Sequence, residues 1–567
     1  MSEKIYIGVA WPYSYAAFHV GNLYGSHYPA DIFARFHRLA GNDVVMVSGS
    51  DCHGTPITLK AEEEGIAPQE LAEKFHAINT ELLHDLKIDY SLFTKTSTEN
   101  HRDVVQTMFL ELLARGFIIK ETSRQLYSAK EEKYLQDRYV EGTCPYCQSP
   151  GARGDQCEKC GRVLDALELI EPRSKVSGDV LEVRETENYF LDLAALQPDL
   201  EKFLASKEGV WRPWILAETR GWFREGLRPR AITRDMEYGV PLPIDRIQEK
   251  DRVKDIEKKV FYVWFEAVIG YLSATVEWAK NSGNPETWKQ FWDKSFDAKQ
   301  YYFVGEDNLV FHTINWPAQL LGTGKDYVLP TDVFVNKFLL LEGDKISKSK
   351  NWIIDTRYLL DTYPLDSIRF YLAYIMTGDD QTNFLWEDFF HVNNGVFLAK
   401  IGNLMYRVMT FSLKNFGTEF LVETAINLEQ EVLDRIEEAF EKTKQAYSSG
   451  KVREAVLEIC SLAEFGNEYL TSYEFWKLVK TDEAAAKQVV GNAVAILDAL
   501  RVLLAPVTPD LAEKLHKDLG YTNSLEEDQK TWQPKGSVPS WTLPSEILPY
   551  VTKFEDSMVA MEKEKLG

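Results

Sequence analysis

The sequence predicts an α/β protein in which a parallel, doubly wound sheet is split by an inserted domain and followed by an all-helical carboxy-terminal bundle. Strand-like apolar segments alternate with helical patterns near the amino terminus and again after about residue 234. A cysteine-containing stretch without this alternation separates the two parts, and beyond about residue 393 only helical spacing occurs. A chain of 567 residues also exceeds what one hydrophobic core usually organises.

The first half of the sheet is predicted from a strand, helix, strand order. Residues 4–11 are apolar enough for a buried strand that a proline ends, and a helical pattern runs from about 19 to 39. Residues 43–48 return to strand character. Ligands of such sheets bind at the carboxyl ends of the strands. We therefore expect the loop 11–22 and the segment 50–55 to line one crevice.

The second half of the sheet follows an interruption. The segment from about 118 to 233 lacks the α/β alternation and is predicted to be an inserted domain. The alternation then resumes with a strand over 261–264, a helix over 266–280, a strand over 301–305 and a helix over 309–321. These elements are expected to complete the split sheet.

The carboxy-terminal part has the spacing of amphipathic helices. Val432, Ile436, Ala439 and Phe440 recur at intervals of three and four residues, which is typical of one buried helix face. A further helix is predicted over about 484–504. A helical bundle is therefore the expected architecture.

Composition excludes some functions and leaves others open. The net charge of -23, from 64 basic and 87 acidic side chains, argues against indiscriminate adhesion to nucleic acid. It does not exclude a polynucleotide substrate, because an acidic body can carry a local basic track. The first residues lack an apolar signal core and the apolar stretches are interrupted by charge, so we expect a cytoplasmic protein with no membrane partner.

Four of the six cysteines are predicted to bind one structural zinc ion. They form two CxxC pairs, Cys144 with Cys147 and Cys157 with Cys160. Two such pairs can direct four thiolates at one tetrahedral metal, and a full set of four leaves no position for a catalytic water. By itself the motif equally suits a nucleic-acid-binding zinc ribbon, and the alternative without metal is four unliganded thiols.

A second candidate site is the loop that begins at Gly343. Its residues Lys345, Ser347 and Lys348 follow an apolar run, and two lysines spaced by three can place ammonium groups on a polyphosphate. A solvated basic turn is the alternative interpretation. A phosphate site becomes the favoured interpretation when this loop is considered together with His19, Val20, Gly21 and Asn22. These four residues begin the first predicted helix, and a helix amino terminus favours an anionic phosphate.

These two segments resemble the paired signatures of class I aminoacyl-tRNA synthetases. The segments around them resemble the methionine-specific family, and this similarity covers nearly the whole chain. The segments that carry it are 10–13, 49–56, 232–235, 262–271 and 305–312. The resemblance implies a Rossmann-type catalytic domain, a zinc-knuckle insertion and a helical anticodon-binding domain.

The resemblance also implies five regions with distinct roles. The two halves of the catalytic domain are expected over 1–117 and 234–325, and the connective insertion with the zinc knuckle over 118–233. A stem-contact region with the lysine loop is expected over 326–392, and the anticodon-binding domain over 393–567.

Residue roles are carried over by the same resemblance. The residues implied in methionine binding are Trp11, Tyr13, Asp51, Trp264, Ala267, Tyr271 and His312. Those implied in ATP binding are His19, Gly21, Asn22, Asp307, Asn308, Lys345, Ser347 and Lys348, of which His19, Lys345 and Lys348 are expected to be catalytic. Those implied in anticodon binding are Asn403, Arg407 and Trp476.

Physical chemistry fits these roles. Aromatic walls suit a thioether, Asp51 can pair with the substrate ammonium group, and unstacked anticodon bases suit an aromatic plane with amide and guanidinium donors.

The sequence departs from the family at Tyr15, Ala16 and Asn22, where Asn-Gly and a second histidine are usual. Ser174 and Ser177 stand where some relatives have a second CxxC, which implies one zinc ion.

The implied activity is a two-step ligase reaction. Methionine reacts with ATP and Mg²⁺ to give methionyl-adenylate and pyrophosphate, and the methionyl group then passes to tRNA(Met). No appended oligonucleotide-binding domain follows the bundle, which favours a monomer. The alternatives are a synthetase for leucine, isoleucine or valine, whose editing insertion would be larger, and a non-catalytic RNA-binding paralogue.

Overall fold

A computed structural model describes most of the chain. The described residues are 2–135, 139–154, 157, 159–160, 162, 164–347, 351–525, 527, 532–534 and 542–566. Within these ranges the fold is mixed α/β, with a parallel sheet and a helical carboxy-terminal region. No helix in the described ranges has the length and apolar character needed to cross a membrane.

The amino-terminal part alternates strands and helices in the predicted order. Its strands are β1 (Lys4–Val9), β2 (Asp43–Ser50) and β3 (Leu92–Lys95). Its helices are α1 (Val20–Asn22), α2 (Tyr28–Leu39), α3 (Thr55–Glu64), α4 (Pro68–Asp85) and α5 (Glu99–Ala114). A π-helical turn, Leu23–His27, joins α1 to α2, so one continuous helix occupies almost the whole segment predicted over 19–39.

Antiparallel strands replace the parallel alternation between residues 118 and 261. The strands are β4 (Ile118–Ser128), β5 (Lys133–Leu135), β6 (Val140–Thr143), β7 (Ala152–Arg153), β8 (Ile170–Ser174), β9 (Glu182–Leu191), β10 (Arg230–Ala231), β11 (Thr233–Asp235) and β12 (Lys259–Phe261). The helices are α6 (Leu193–Ala205) and α7 (Pro213–Glu225). The strands form one sheet in the order β10-β9-β4-β5, a second sheet in the order β7-β6-β8, and the pair β11-β12.

The parallel alternation returns after residue 262. The helices are α8 (Val263–Asn281), α9 (Lys289–Trp292), α10 (Trp316–Gly322), α11 (Thr356–Thr362) and α12 (Leu365–Ile375). The strands are β13 (Lys299–Gly305), β14 (Asp332–Asn336), β15 (Leu339–Leu341), β16 (Asp344–Lys345) and β17 (Thr382–Phe384). A π-helical turn, Phe311–Asn315, precedes α10.

The prediction of a strand over 261–264 is wrong. β12 ends at Phe261, Tyr262 is extended, and α8 begins at Val263. A short aromatic and β-branched run does not distinguish a buried strand from a buried helix start. The first turn of α8 packs into the core on most sides, so its residues show no helical alternation of polar and apolar side chains.

The described residues beyond 385 contain helices and no strands. The helices are α13 (Trp386–Val392), α14 (Asn403–Phe416), α15 (Phe420–Glu423), α16 (Gln430–Ser448), α17 (Val452–Ser472), α18 (Phe475–Thr481), α19 (Glu483–Leu504), α20 (Pro509–Asp518) and α21 (Met558–Glu564). A π-helical segment, Asn393–Gly402, joins α13 to α14. The predicted all-helical region is therefore observed, and Val432, Ile436 and Ala439 are buried on one face of α16 as expected.

The central sheet has five parallel strands in the order β14-β13-β1-β2-β3. β1 lies in the middle, where Ile5 is opposite Val44 of β2 on one side and Lys299 of β13 on the other. All five strands point the same way, so their carboxyl ends meet at one edge. The loops after β1, β2, β13 and β14 are thereby brought together.

A buried arginine links the sheet-bearing part to the helical region. Arg369 on α12 donates to Asp31 on α2 at 2.6 Å and to the carbonyl oxygen of Val507 at 2.8 Å. Arg35 donates to the same carboxylate at 3.0 Å. Burial would raise the pKa of Asp31, but Arg35 and Arg369 together hold it below the ordinary value. Asp31 is therefore ionised at neutral pH.

We expect Asp31→Asn to lower the free energy of unfolding by about 3 kcal/mol or more, because it leaves two buried guanidinium groups without their shared anion. Asp43→Asn is the matched control, since its pair with Lys4 is solvent-exposed and is expected to contribute about 1 kcal/mol or less. Urea denaturation followed by circular dichroism measures both. Equal, small losses would contradict a special role for the buried pair.

Candidate active site

A cavity of about 770 Å³ lies at the carboxyl ends of the parallel strands. It collects residues from the loop after β1, the end of β2, the start of α8 and the turn after β13. The predicted site residues that line it are Trp11, Tyr13, His19, Gly21, Asn22, Asp51, Trp264, Ala267, Tyr271, Asp307, Asn308, His312 and Lys345. Residues far apart in the sequence thus share one crevice.

The first signature begins the helix that follows β1. The ring Nδ1 of His19 accepts a hydrogen bond from the backbone N–H of Gly21 at 3.1 Å, and the side-chain oxygen of Asn22 accepts one from the backbone N–H of His19 at 3.1 Å. His19 and Asn22 therefore form a capping box, in which each side chain accepts a hydrogen bond from a backbone N–H at the start of the helix. A Cβ at Gly21 would approach the His19 ring at 2.9 Å and Ile346 at 3.1 Å, so this glycine permits a close approach of the two signatures.

The second signature lies on a short hairpin above the crevice. Lys345 ends β16, which pairs with β15, and its side chain is exposed at the cavity. Ser347 exchanges two backbone hydrogen bonds with Trp352, at 2.9 and 3.0 Å, and is not among the residues that line the cavity. Lys348, the other predicted catalytic lysine, lies outside the described residues.

Tyr271 and His312 form a buried pair at the base of the crevice. The Tyr271 hydroxyl is 2.6 Å from Nε2 of His312, and Nδ1 of His312 is 2.8 Å from the carbonyl oxygen of Asn308. A carbonyl oxygen only accepts, so Nδ1 carries the proton and Nε2 accepts from the tyrosine. Burial lowers the pKa of His312 to about 4. The imidazole is therefore neutral at pH 7.

Asp51 is a buried carboxylate beside a second buried acid. Glu266 is held between His53, at 2.8 Å, and His101, at 2.7 Å. Burial would raise the pKa of Glu266, but these two histidines lower it below the ordinary value. Burial first, and then the negative charge of Glu266, raise the pKa of Asp51 well above its ordinary value. A cation that reached Asp51 would reverse this shift.

Aromatic rings form the sides of the cavity. Trp264 stacks on Phe311 with ring centroids 4.2 Å apart and an interplanar angle of 13°. The indole of Trp11 fits between two glycines: a Cβ would meet it at 2.3 Å from Gly49 and at 2.7 Å from Gly270. The bulky tryptophan is accommodated because neither neighbouring backbone carries a side chain at that point.

Polar groups also line the cavity. Asp307 and Asn308 follow β13, and the Asn308 amide donates to the Asp307 carboxylate at 3.1 Å. Burial raises the pKa of Asp307. The lining also includes Lys337 and Arg153, two cations that sequence reasoning missed.

The two missed cations differ in how far the sequence could have revealed them. Lys337 directly follows β14, so the rule that ligands meet strand ends could have found it. Arg153 reaches the cavity from β7 in the inserted part, and no sequence pattern indicated it.

The four clustered cysteines come together as predicted. Their sulfur atoms all lie within 4.8 Å of one another, with Cys144 to Cys160 at 3.9 Å and Cys147 to Cys157 at 3.6 Å. Four sulfurs about 2.3 Å from a tetrahedral metal would be about 3.8 Å apart. The set could therefore hold a metal ion.

The three residues predicted for the anticodon lie at the helical end of the molecule. Asn403 and Arg407 are one turn apart on α14. The Arg407 guanidinium lies 4.7 Å from the ring centre of Phe475 and 5.5 Å from that of Trp476. Trp476 is 39% exposed, so its ring remains accessible beside the arginine.

Two family models match the chain. Residues 5–409 match the model described as tRNA synthetases class I (M), and residues 423–538 match the anticodon binding domain of methionyl tRNA ligase. The methionine–tRNA ligase of Roseiflexus sp. (strain RS-1) is 42% identical over 594 residues, which covers 100% of this chain and 99% of that protein. That of Thermomicrobium roseum is 40% identical, with the same coverage.

Solved structures show the same fold. The methionyl-tRNA synthetase of Mycobacterium tuberculosis bound by methionyl-adenylate has a TM-score of 0.78 at 21% identity, and covers 97% of this chain and 100% of its own. The apo form of that enzyme has a TM-score of 0.72 at 19% identity, covering 98% of this chain and 99% of its own. With the crevice, the paired signatures and near-complete alignment to its relatives, the chain belongs to the methionine–tRNA ligase family of class I tRNA synthetases.

Proposed function

We propose that the crevice activates L-methionine with ATP, giving methionyl-adenylate and pyrophosphate, and then transfers the methionyl group to tRNA(Met). The observation that carries this proposal is the shared cavity: a buried carboxylate, an aromatic pocket and the first signature all line it. The ammonium group, the thioether side chain and the phosphates therefore each have a chemically suitable partner in one cavity: the carboxylate, the aromatic pocket and the first signature.

Methionine binds at the base of the crevice. Its ammonium group pairs with Asp51, and its side chain lies against Tyr271 and His312, with Tyr13, Trp264 and Ala267 completing the pocket. The Tyr271 hydroxyl proton is already donated to His312, so the pocket presents a ring and an oxygen lone pair rather than a free donor. A polarisable, unbranched thioether suits such a surface.

The first step is an in-line displacement at phosphorus. A carboxylate oxygen of methionine attacks the α-phosphorus of ATP, the bond to the bridging oxygen breaks, and pyrophosphate leaves with the electron pair. His19, Lys345 and Lys348 stabilise the developing negative charge, while Gly21, Asn22, Asp307, Asn308 and Ser347 hold ATP. Mg²⁺ enters with the ATP phosphates, as this ion usually does.

In the second step a ribose hydroxyl of the terminal tRNA adenosine attacks the carbonyl carbon of methionyl-adenylate. The ester bond forms, the bond from that carbon to the phosphate oxygen breaks, and AMP leaves and takes up the hydroxyl proton. No side-chain nucleophile is needed, because positioning and charge stabilisation carry the reaction.

Specific regions carry the remaining roles. We assign the Rossmann-type catalytic domain to 1–117 and 234–325, extended to Asn336 because β14 pairs with β13 in the same sheet. The insertion 118–233 carries the metal, the remaining residues 337–392 of the predicted stem-contact region contact the tRNA stem, and 393–567 binds the anticodon. Within the last region, Trp476 stacks on an unpaired base while Asn403 and Arg407 supply polar donors, which is how proteins recognise single-stranded RNA.

The metal is zinc, and its role is structural. The residues Cys144, Cys147, Cys157 and Cys160 supply four soft thiolates at tetrahedral spacing, and such a closed set leaves no open position for substrate. The ion fixes the knuckle of the inserted part, and Arg153 of that part reaches the active crevice.

Methionine-dependent exchange of pyrophosphate into ATP tests the first step. We expect exchange with methionine and none above background with leucine, isoleucine or valine. Lys345→Ala should reduce kcat by about 100-fold, because a charge that stabilises the leaving pyrophosphate is lost. Lys444→Ala, an exposed lysine remote from the cavity, should leave it unchanged. Exchange with leucine, or none from folded protein, would overturn the proposal.

The pH dependence of methionine binding tests the role of Asp51. Its pKa is raised, so the uncharged acid becomes more abundant as pH falls, and an uncharged Asp51 cannot pair with an ammonium group. The KM for methionine in the exchange reaction should therefore rise as the pH is lowered, and this rise should begin above the ordinary titration range of an aspartate. In Asp51→Asn the KM should be at least about 10-fold higher and should not show this rise. A wild-type KM without pH dependence would contradict this role.

Metal analysis tests the knuckle. Purified protein should contain one zinc ion per chain, and Cys147→Ala should lose it and unfold at a lower temperature, because three thiolates bind zinc less tightly than four. Cys460→Ala removes a buried thiol outside the cluster and should retain the zinc. Full zinc content in Cys147→Ala would show that these cysteines are not the ligands.

A further inference from the structure

Glu266 is a buried acid beside the crevice that does not line it. It lies in the first turn of α8, the helix that also supplies Trp264, Ala267 and Tyr271 to the methionine pocket. Those three side chains line the crevice, whereas Glu266 faces the interior and is fully buried. Burying a carboxylate is costly unless hydrogen bonds compensate for the lost water. The partners of Glu266 therefore indicate which part of the site the acid supports.

A series of hydrogen bonds leads from Glu266 to Asp51. An ionised carboxylate only accepts, so Nδ1 of His53 donates to Oε1 of Glu266, at 2.8 Å. The backbone N–H of His53 in turn donates to Oδ1 of Asp51 at 3.3 Å. His53 and Asp51 lie on the same buried turn after β2. The contact that holds the His53 ring therefore also fixes the turn that carries Asp51.

The backbone of Asp51 is held separately, by the loop after β1. Its N–H donates to the carbonyl oxygen of Pro12 at 2.9 Å, and its carbonyl oxygen accepts from the N–H of Ser14 at 2.8 Å. These two bonds place the backbone of Asp51 but do not orient its carboxylate. The hydrogen bond from His53 does orient the carboxylate, so this orientation depends on the acid that holds His53.

α5 fixes Glu266 from its other side. Oε2 of Glu266 is 2.7 Å from Nε2 of His101, and Nδ1 of His101 is 2.8 Å from the hydroxyl of Ser273. That hydroxyl is also 3.1 Å from the carbonyl oxygen of Gly270, so it can donate to the ring, or accept from the ring while donating to the carbonyl. The His101 ring can therefore present either a proton or a lone pair to position 266. A glutamine at this position can keep both hydrogen bonds.

Glu266 also places a negative charge next to Asp51. Burial opposes the ionisation of Glu266, but His53 and His101 hold its pKa below the ordinary value. Burial first, and then the charge of Glu266, raise the pKa of Asp51. Glu266 thus acts on Asp51 in two ways, through a hydrogen-bonded contact and through its charge.

The other titratable groups around Asp51 do not supply a comparable charge. Burial raises the pKa of Cys52, on the same turn, to about 12, and burial also raises the pKa of Tyr238, which packs on the His53 ring. Both are uncharged at neutral pH. Glu73 on α4 is paired with Lys95. The histidines, acids and cations of the crevice wall, none of which shifts the pKa of Asp51, include His19, Arg153, Asp307, His312, Lys337 and Lys345.

We propose that Glu266 is the positioning residue for Asp51: it orients that carboxylate through His53, and its own charge sets the pH range in which the site binds an α-ammonium group. In the unliganded site the charge of Glu266 favours protonated Asp51. A bound ammonium group favours the ionised form, so methionine binding releases the Asp51 proton to solvent. The proposal rests on the function proposed above, because it takes the ammonium group of methionine as the partner of Asp51.

Glu266→Gln tests the charge, because the amide can accept from His53 and donate to His101. Without the negative charge Asp51 ionises more readily, so the rise in the KM for methionine should occur at lower pH than in wild type. At the pH where the wild-type KM is about 10-fold above its high-pH value, the variant should be less than about 3-fold above its own. Pyrophosphate exchange with methionine as the varied substrate measures this. A purely structural role would not move the pH dependence in this direction.

Glu266→Ala removes the positioning contact as well. The turn that carries Asp51 loses its anchor, so the KM for methionine should rise about 10-fold or more at every pH. The kcat of exchange and the KM for ATP should stay within about 3-fold of wild type. In an Asp51→Asn background the same substitution should raise the KM less than about 2-fold further, because Glu266 acts through Asp51.

Glu277→Gln is the matched control. Glu277 is half-buried three turns further along α8, and it accepts a hydrogen bond from Thr94 at 3.0 Å. It does not line the crevice. The same change of acid to amide on the same helix should leave the KM for methionine and its pH dependence as in wild type.

Calorimetric titration with methionine gives a second readout that does not require exchange. The heat should vary with the ionisation enthalpy of the buffer, because wild type releases a proton in the pH range where the KM rises. Glu266→Gln should release less of a proton at the same pH, and Asp51→Asn none.

A pH dependence of Glu266→Gln that coincides with that of wild type, or full additivity of Glu266→Ala with Asp51→Asn, would overturn the proposal. If Glu266→Ala does not fold, the pH dependence of Glu266→Gln and its disappearance in the Asp51→Asn background decide. If wild type binds methionine with proton release but lacks exchange, the proposed function fails and the role of Glu266 stands. If wild type does not bind methionine, both fail.

Discussion

The parallel pairing of β1 with β13 is the constraint on which the rest of the structure depends. β1 pairs with β2 on one side through a short helical connection, and with β13 on the other across the whole inserted part. Both pairings are parallel, so the loops that follow all three strands open at the same edge. His19 and Asp51 come from the first half of the chain, and Asp307 and His312 from the second. The crevice exists only because these strands lie side by side.

A buried polar network supports the base of this crevice. Glu266 on α8 bonds to His53 and His101, so it ties the loop after β2 to α5 and α8. Its negative charge also lies close enough to Asp51 to oppose ionisation of that carboxylate. The unliganded protein therefore holds two neighbouring acids, and a cation bound beside Asp51 would favour the ionised form of its carboxyl group.

The sequence predicted the long helices well. The helix over 19–39 and the helix α19 were predicted to within one residue at each end, because apolar segments of about 20 residues are too long for a strand. The run 261–264 was assigned to the wrong element, because a short aromatic stretch fits both a strand and the buried start of α8. Asn22, a departure from the family signature, proved to cap the helix, which only coordinates could show.

The candidate site was predictable only in part. The sequence motifs identified thirteen residues that line one cavity. They did not indicate which groups these side chains contact. Burial keeps the His312 imidazole neutral, and its contacts with Tyr271 on α8 and with the carbonyl oxygen of Asn308 decide which ring nitrogen carries the proton. A second, smaller cavity of about 410 Å³, which shares Trp264 and Phe311 with the crevice, depends on how the inserted part packs on α8. Such features arise from tertiary packing, which local sequence does not encode.

A crystal structure with a non-hydrolysable analogue of methionyl-adenylate tests most directly whether the crevice is the site of methionine activation. We predict the analogue in the 770 Å³ crevice, with its ammonium group on Asp51, its thioether against Tyr271 and His312, and its adenine on the side of Asp307. The smaller cavity beyond Trp264 should stay free of the analogue. An adenine in that smaller cavity, or an ammonium group remote from Asp51, would contradict the proposed roles of these residues.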